Sequence, residues 1–165
     1  MIDPSRIALA GVCAAGLAVA LSFVHPFGNP RTQDRSGADV LAGADIPDSL
    51  REVMRHKCGN CHSETVNWPF YSHVAPVSWF LERDVTEARA RMNLSRWHAY
   101  SNQEKSDLLA RLAAEIHTGE MPPARYTAIH RDSKLLPEER GSLYEWARTE
   151  RKRLRTFQPT VSGEK

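Results

Sequence analysis

The stretch KCGNCHSE, residues 57–64, holds the residues best suited to chemistry: two thiols three positions apart, Cys58 and Cys61, followed at once by the imidazole of His62. Three chemistries use a Cys-x-x-Cys pair: thiol–disulfide exchange, structural zinc and covalent attachment of haem. Structural zinc needs four ligands, yet the third cysteine, Cys13, lies in a distant apolar run and no suitably spaced His pair follows. A thioredoxin-type site needs the pair at the mouth of a βαβ unit, and no strand pattern precedes it. A plain disulfide accounts for both cysteines but leaves His62 unexplained. Covalent haem accounts for all three, because two thiols at a fixed separation add across the two vinyl groups and the next residue presents a nitrogen to the iron. The expected cofactor is one haem c per chain, with Cys58 and Cys61 as thioethers and His62 as proximal iron ligand.

The iron then has a sixth position. Met54 and His56 precede the pair too closely to reach the far face, and Met92 falls on an apolar helical stripe; His73, His98 and His130 are further candidates. Met121 stands in HTGEMPPARY, between helices, with Gly119 permitting a tight turn and Pro122-Pro123 stiffening the chain after it. It lies 59 residues beyond His62, enough chain to wrap a haem. A thioether is a weak donor that must be held in place, so Met121 is the expected distal ligand and His117 the reserve. Trp68, Phe70, Tyr71 and Trp79 follow the pair closely, and Trp68 and Tyr71, with Tyr126 from the later loop, are read as packing against the haem.

The elements that must position these residues read as helices. PDSLREVMRHKC places Leu50, Val53 and Met54 at helical spacing, with Asp48 or Ser49 as cap. PVSWFLERDVTEARARM sets Val77, Phe80, Leu81, Val85, Ala88 and Met92 on one stripe. SNQEKSDLLARLAAEIHTG opens with Ser101 and Glu104 in capping-box spacing, carries Leu108, Leu109, Leu112, Ala113 and Ile116 on one face, and stops at Gly119. A last helix starts at Pro137, turns Leu143, Trp146 and Ala147 inward, and carries Gly141 either for a close helix crossing or on a solvent-facing side. No alternating strand pattern or hairpin turn interrupts them, so the expected fold is all-α.

Apolar residues at 41% and charged residues at 25% exclude wholesale disorder, and a net charge of +2 with no basic patch among aromatics excludes nucleic acid as partner. After Arg6, the run Ile7 to Val24 has eighteen residues without a charge. That length, and the bulky SFVHPFGNP after it, fits an uncleaved signal anchor better than a removed signal. With the basic residue before the run, the N-terminus is expected inside and the rest outside: an inner-membrane protein whose haem domain faces the periplasm. The domains read as 1–25 membrane helix, 26–46 flexible linker, 47–155 haem-binding domain and 156–165 flexible tail. The basic run RTERKRLR near the end reads as a solvated helix face, or as a docking patch for an acidic redox partner or anionic lipid.

The run from CGNCHSETVNWPFYSHVAPVSW through MNLSRW, GEMPP and the Tyr126 to His130 segment resembles the bacterial haem-binding domain family of small c-type cytochrome-like proteins, over about residues 40 to 150. The resemblance implies a cytochrome c-like helical fold around one covalent haem, His62 as proximal ligand and Met121 as distal ligand by position. Phe70 stands where tryptophan is expected and Ala88 where glycine is common. With no nucleophile–base pair or phosphate loop visible, the expected function is a membrane-anchored monohaem cytochrome that transfers electrons to and from redox partners at the same membrane. That makes it a carrier rather than an enzyme. Two alternatives stand beside it. One is a gas sensor or peroxidase with a displaceable sixth ligand, using His117 as distal base and Glu120 as acid. The other is a haem-bearing interaction module of a larger assembly.

Overall fold

The computed structural model describes residues 3–35 and 39–156. Residues 36–38 of the expected linker, and 157–165 of the expected tail, lie outside the described residues. Among the described residues seven α-helices run in chain order: α1 Pro4–Leu21, α2 Asp48–Lys57, α3 Gly59–His62, α4 Val77–Arg91, α5 Asn102–Thr118, α6 Ala124–Ile129 and α7 Pro137–Thr156. Short 3₁₀ turns at Pro30–Gln33, Phe70–His73, Leu94–Ala99 and Arg131–Ser133 link them, and no strand occurs among the described residues. The fold is all-α, with one helix of membrane length near the N-terminus; none of α1 is buried.

α5 forms as its local chemistry dictates. Ser101 Oγ accepts from the Glu104 amide while the Glu104 carboxylate accepts from the Ser101 amide, so two otherwise orphaned donors are satisfied reciprocally. Gly119 ends the helix at φ 78°, a left-handed turn that a side chain would resist. Leu108, Leu109, Leu112, Ala113 and Ile116 are all buried, and α5 packs them against Leu143, Trp146, Ala147 and Leu154 of α7. α2 crosses α7 and adds Met54, while Leu94 and Trp97 close the core from the 3₁₀ turn after α4. This α2–α5–α7 platform carries the Cys-x-x-Cys-His segment at the end of α2.

The cap of α2 is Pro47, with no side-chain hydrogen bond from Asp48 or Ser49, which corrects that expectation. Of the two readings of Gly141, the solvent-facing one holds: it is exposed and meets nothing within 4 Å of where a Cβ would stand. The reading of α4 also needs correction. Its buried face is Ser78, Glu82, Val85 and Arg89, while Val77 and Phe80 are exposed. Burying a carboxylate and a guanidinium is tolerable only with partners. These come from residues 25–34: His25 Nδ1 lies 3.0 Å from both Glu82 oxygens, and Arg89 reaches the Pro30 carbonyl and the Asp34 carboxylate.

The stretch read as a linker is therefore packed where it is described. Pro30, Val40, Leu41 and Ile46 are buried. Leu41 adopts φ 58°, a left-handed conformation costing about 1–2 kcal/mol for a residue with a Cβ. Its complete burial and its amide's 2.9 Å bond to the Leu94 carbonyl hold it there. Arg51 of α2 donates to the carbonyls of Val40, Leu41 and Ala44, tying this loop to the helix that leads into Cys58.

Candidate functional site

α2 ends at Lys57, and one further turn, α3, carries Gly59 to His62. The amides of Cys61 and His62 both point at the Cys58 carbonyl, at 3.2 and 3.0 Å, so a single tight turn holds the two thiols and the imidazole. Neither cysteine is in a disulfide. Burial pushes the Cys58 thiol up to about 12, with the neighbouring Cys61 adding to it, and burial likewise pushes Cys61 up to about 11. Thiol-exchange sites do the opposite and stabilise the thiolate. These are neutral, half-buried thiols, one of which leans on the Met54 thioether at 3.8 Å.

His62 Nδ1 lies 2.9 Å from the Met92 carbonyl. A carbonyl can only accept, so Nδ1 carries the proton and Nε2 keeps a free lone pair. Burial lowers the pKa of His62, against the smaller opposing effect of the Met92 hydrogen bond, and the ring stays neutral. A neutral imidazole whose second nitrogen is pinned by a backbone carbonyl is the form that ligates a metal. Sequence reasoning placed Met92 in the core, which it is, but missed that its backbone at the end of α4 orients His62.

Two buried polar links hold the turn in place. Arg89 Nε donates to the Ser63 carbonyl at 2.9 Å, directly after His62. Glu64, 2% exposed, accepts from Asn93 at 3.0 Å and from Arg96, with Arg35 at 3.3 Å. Burial raises the Glu64 pKa, but the hydrogen bonds from Arg96 and Asn93 outweigh it and hold the carboxyl below its ordinary range. Glu64→Gln, which removes the charge but keeps the shape, is expected to cost about 1.5–3 kcal/mol in urea unfolding at neutral pH. A midpoint unchanged from wild type would mean that the cluster contributes nothing.

The aromatics divide. Asn60, between the two cysteines, donates to Tyr126 Oη at 3.2 Å. Tyr126 stacks on His130 at 4.5 Å, and His130 Nε2 lies 2.5 Å from Tyr71 Oη. Tyr71 and Tyr126, from segments far apart in the chain, are thus joined through His130 beside the attachment turn. Arg125 adds a 3.1 Å ion pair to Asp84 of α4, and Lys57 donates to the Asp132 carbonyl. Trp68 goes elsewhere: its indole donates to Asp34 at 2.6 Å and Arg31 covers its ring at 4.1 Å.

Met121 lies half-buried on the wall of an open cavity of about 480 Å³, together with Gly119, Thr127, Arg131, Lys134 and Arg140. Cys58, Cys61 and His62 do not line it; Tyr126 and His130 turn toward them from the opposite face of α6. His117, the suggested distal base, packs on Tyr144 of α7 at 5.4 Å, in the groove between α5 and α7. Glu120 is exposed beyond the end of α5. Neither has a contact with the attachment turn, because both sit where α5 meets its partner helix or solvent.

Comparison with known proteins gives two findings. Cytochrome c peroxidase Ccp of Escherichia coli (strain K12) is 29% identical over 155 residues, covering 89% of this chain and 32% of that protein. The chain thus spans about a third of the length of the curated relative it matches. No solved structure matches the chain. The similarity overturns the expectation of a carrier rather than an enzyme, since the relative that covers nearly all of this chain is an enzyme by name. The second finding is a match between residues 16–149 and the profile of the haem-binding domain, which extends further toward the N-terminus than the motif-bearing residues 40 to 150. With most of its length in that match, the chain belongs to the haem-binding domain family.

Proposed function

We propose that the chain carries one covalently attached haem c and serves a peroxidase reaction, with hydrogen peroxide as oxidant, on the outer side of the membrane that α1 spans. The observation that carries the reading is the His62 arrangement: a neutral imidazole pinned through Nδ1 to the Met92 carbonyl, one residue after a pair of neutral, unpaired thiols on one turn. The similarity to a cytochrome c peroxidase over 89% of the chain supports that reaction. In this reading Cys58 and Cys61 form the thioethers and His62 is the proximal ligand, within a cytochrome c-like helical domain. Bound haem iron would supply the coordination position for cleavage of the peroxide O–O bond, with two electrons from a redox partner protein and two protons taking hydrogen peroxide to two waters.

The chain's own residues then do three things. The Met92 carbonyl keeps His62 basic and oriented. Met121 would hold the iron as a displaceable ligand: its loop is stiffened by Pro122 and Pro123, and its side chain lies half-buried on an open cavity. For the proton, His130 is favoured over His117, because it is bonded to Tyr71 and stacked on Tyr126 beside Asn60, whereas His117 is occupied on α7. Trp68 and Arg31 cover the segment before α4 instead of reaching this cluster.

The test is carbon monoxide binding and peroxide turnover by the haem-loaded full chain. Met121→Ala is expected to raise the apparent affinity for carbon monoxide about tenfold or more, since a competing internal ligand lowers apparent affinity by the competent fraction. His130→Ala is expected to slow peroxide turnover by about 10²–10⁴, the usual scale of general acid–base catalysis, while leaving carbon monoxide binding in place. Ferrous haem that ignores carbon monoxide in both wild type and Met121→Ala, with no peroxide turnover, would sink the reading.

A further inference from the structure

α4 leaves apolar side chains in solvent at the point where α1 ends. The helix α1, Pro4–Leu21, has eighteen residues, which at 1.5 Å per residue is about 27 Å, against about 30 Å for a bilayer core. On the reading that α1 spans a membrane, its outer boundary falls in the few residues after Leu21. The haem-binding domain is hydrogen-bonded to the chain there. The Ala75 amide donates to Ser22 Oγ at 2.9 Å, the Trp79 indole donates to the Val24 carbonyl at 2.7 Å, and His25 pairs with buried Glu82. These three bonds span Ser22 to His25 and leave little freedom for the domain to swing away from the end of α1.

Around this junction stand Phe23, Phe27, Val74, Val77 and Phe80, all exposed, Phe23 by 80% and Phe80 by 56%. Val77 and Phe80 share one face of the first turn of α4, next to the two residues that bond the end of α1. Arg83 lies over the rings of Phe80 and Phe27, at 5.6 and 6.0 Å. The same guanidinium pairs with Asp84 at 3.3 Å and with Glu87 at 3.9 Å, so a charged rim borders the exposed rings, the side-chain order that a bilayer surface selects. A soluble face rarely gathers this many large apolar groups without a partner.

We propose that this face of the domain rests in the lipid headgroup layer, so that the bilayer itself is its partner and α1 and α4 together fix the domain's orientation on the membrane. The proposal rests on α1 spanning the membrane, and the experiment separates the two. In lipid nanodiscs, the haem-loaded full chain with Cys13→Ala carries a nitroxide at Phe80→Cys or, as control, at Lys152→Cys on α7, which packs on α5 and α2. Flotation with the nanodiscs reads the anchor. The expected result is that the label at 80 relaxes with oxygen several-fold more than with a water-soluble nickel chelate, relative to the label at 152. Val77→Cys should repeat it if Phe80→Cys fails to fold. Equal, water-like accessibility at 80 and 152 in protein that floats overturns the docking while leaving the anchor intact. Protein that stays out of the nanodiscs overturns both.

Discussion

Arg89→Ala is expected to lower the stability of the haem-loaded chain by about 3–5 kcal/mol, the cost of breaking a buried charged pair by removing one partner. Its side chain is 4% exposed, and all three of its donor groups are used. Nε bonds the Ser63 carbonyl at 2.9 Å, Nη1 the Pro30 carbonyl at 2.7 Å, and Nη2 the Asp34 carboxylate. Alanine would leave the buried Ser63 and Pro30 carbonyls without this donor, each loss worth about 1–3 kcal/mol, and the Asp34 carboxylate with only the Trp68 indole. Against a typical total of about 5–15 kcal/mol, that is a large fraction. Because Ser63 follows His62, the visible spectrum should broaden or shift as well. Arg89→Lys keeps the charge but not the planar fork, so it should recover only part of the loss. Denaturant unfolding of the three proteins checks this, and a cost below about 1 kcal/mol for Arg89→Ala would show that water replaces the guanidinium.

Replacing both Cys58 and Cys61 with serine is expected to take covalently held haem from one per chain to none. Under the proposed attachment each thiol S–H adds across a vinyl C=C, forming a carbon–sulfur bond and leaving the hydrogen on the adjacent carbon; a serine hydroxyl does not. Cys61→Ser alone should retain one thioether and a split absorption spectrum. Haem staining after denaturing electrophoresis and the intact mass of the chain read the result directly. The double variant should also unfold more easily, since a small helical domain gains from any cofactor bound to its native state. Haem that still survived denaturation in the double variant would have to be held elsewhere, with Cys13 as the remaining thiol, and the proposed attachment would fall.

What was legible in the sequence was what neighbouring residues decide among themselves. The capping box of α5, its apolar face and its glycine stop depend on contacts within a few residues, and each appears as read. The close grouping of Cys58, Cys61 and His62 is likewise a property of one turn of backbone. The resemblance read over about residues 40 to 150 agrees with the haem-binding domain that matches residues 16–149.

The remaining features were decided by residues far apart in the chain. α4 read as an apolar stripe because Val77 and Phe80 have the right period, but Glu82 and Arg89 took the buried face once His25, Pro30 and Asp34 supplied partners about 55 residues away. Residues 26–46 read as a linker because they lack a period; Val40 and Leu41 entered the core through Arg51 and the Leu94 carbonyl, which no local pattern encodes. The Met92 carbonyl that orients His62, and the Asn60–Tyr126–His130–Tyr71 chain beside it, arise where separate helices meet. By itself the sequence determined which atoms are available for chemistry, because residue type and close spacing are local. Only the tertiary structure decided which nitrogen of His62 is free, which histidine is linked through Tyr126 to Asn60 and which face of α4 is left for a partner, because each of these turns on the burial of one segment by another.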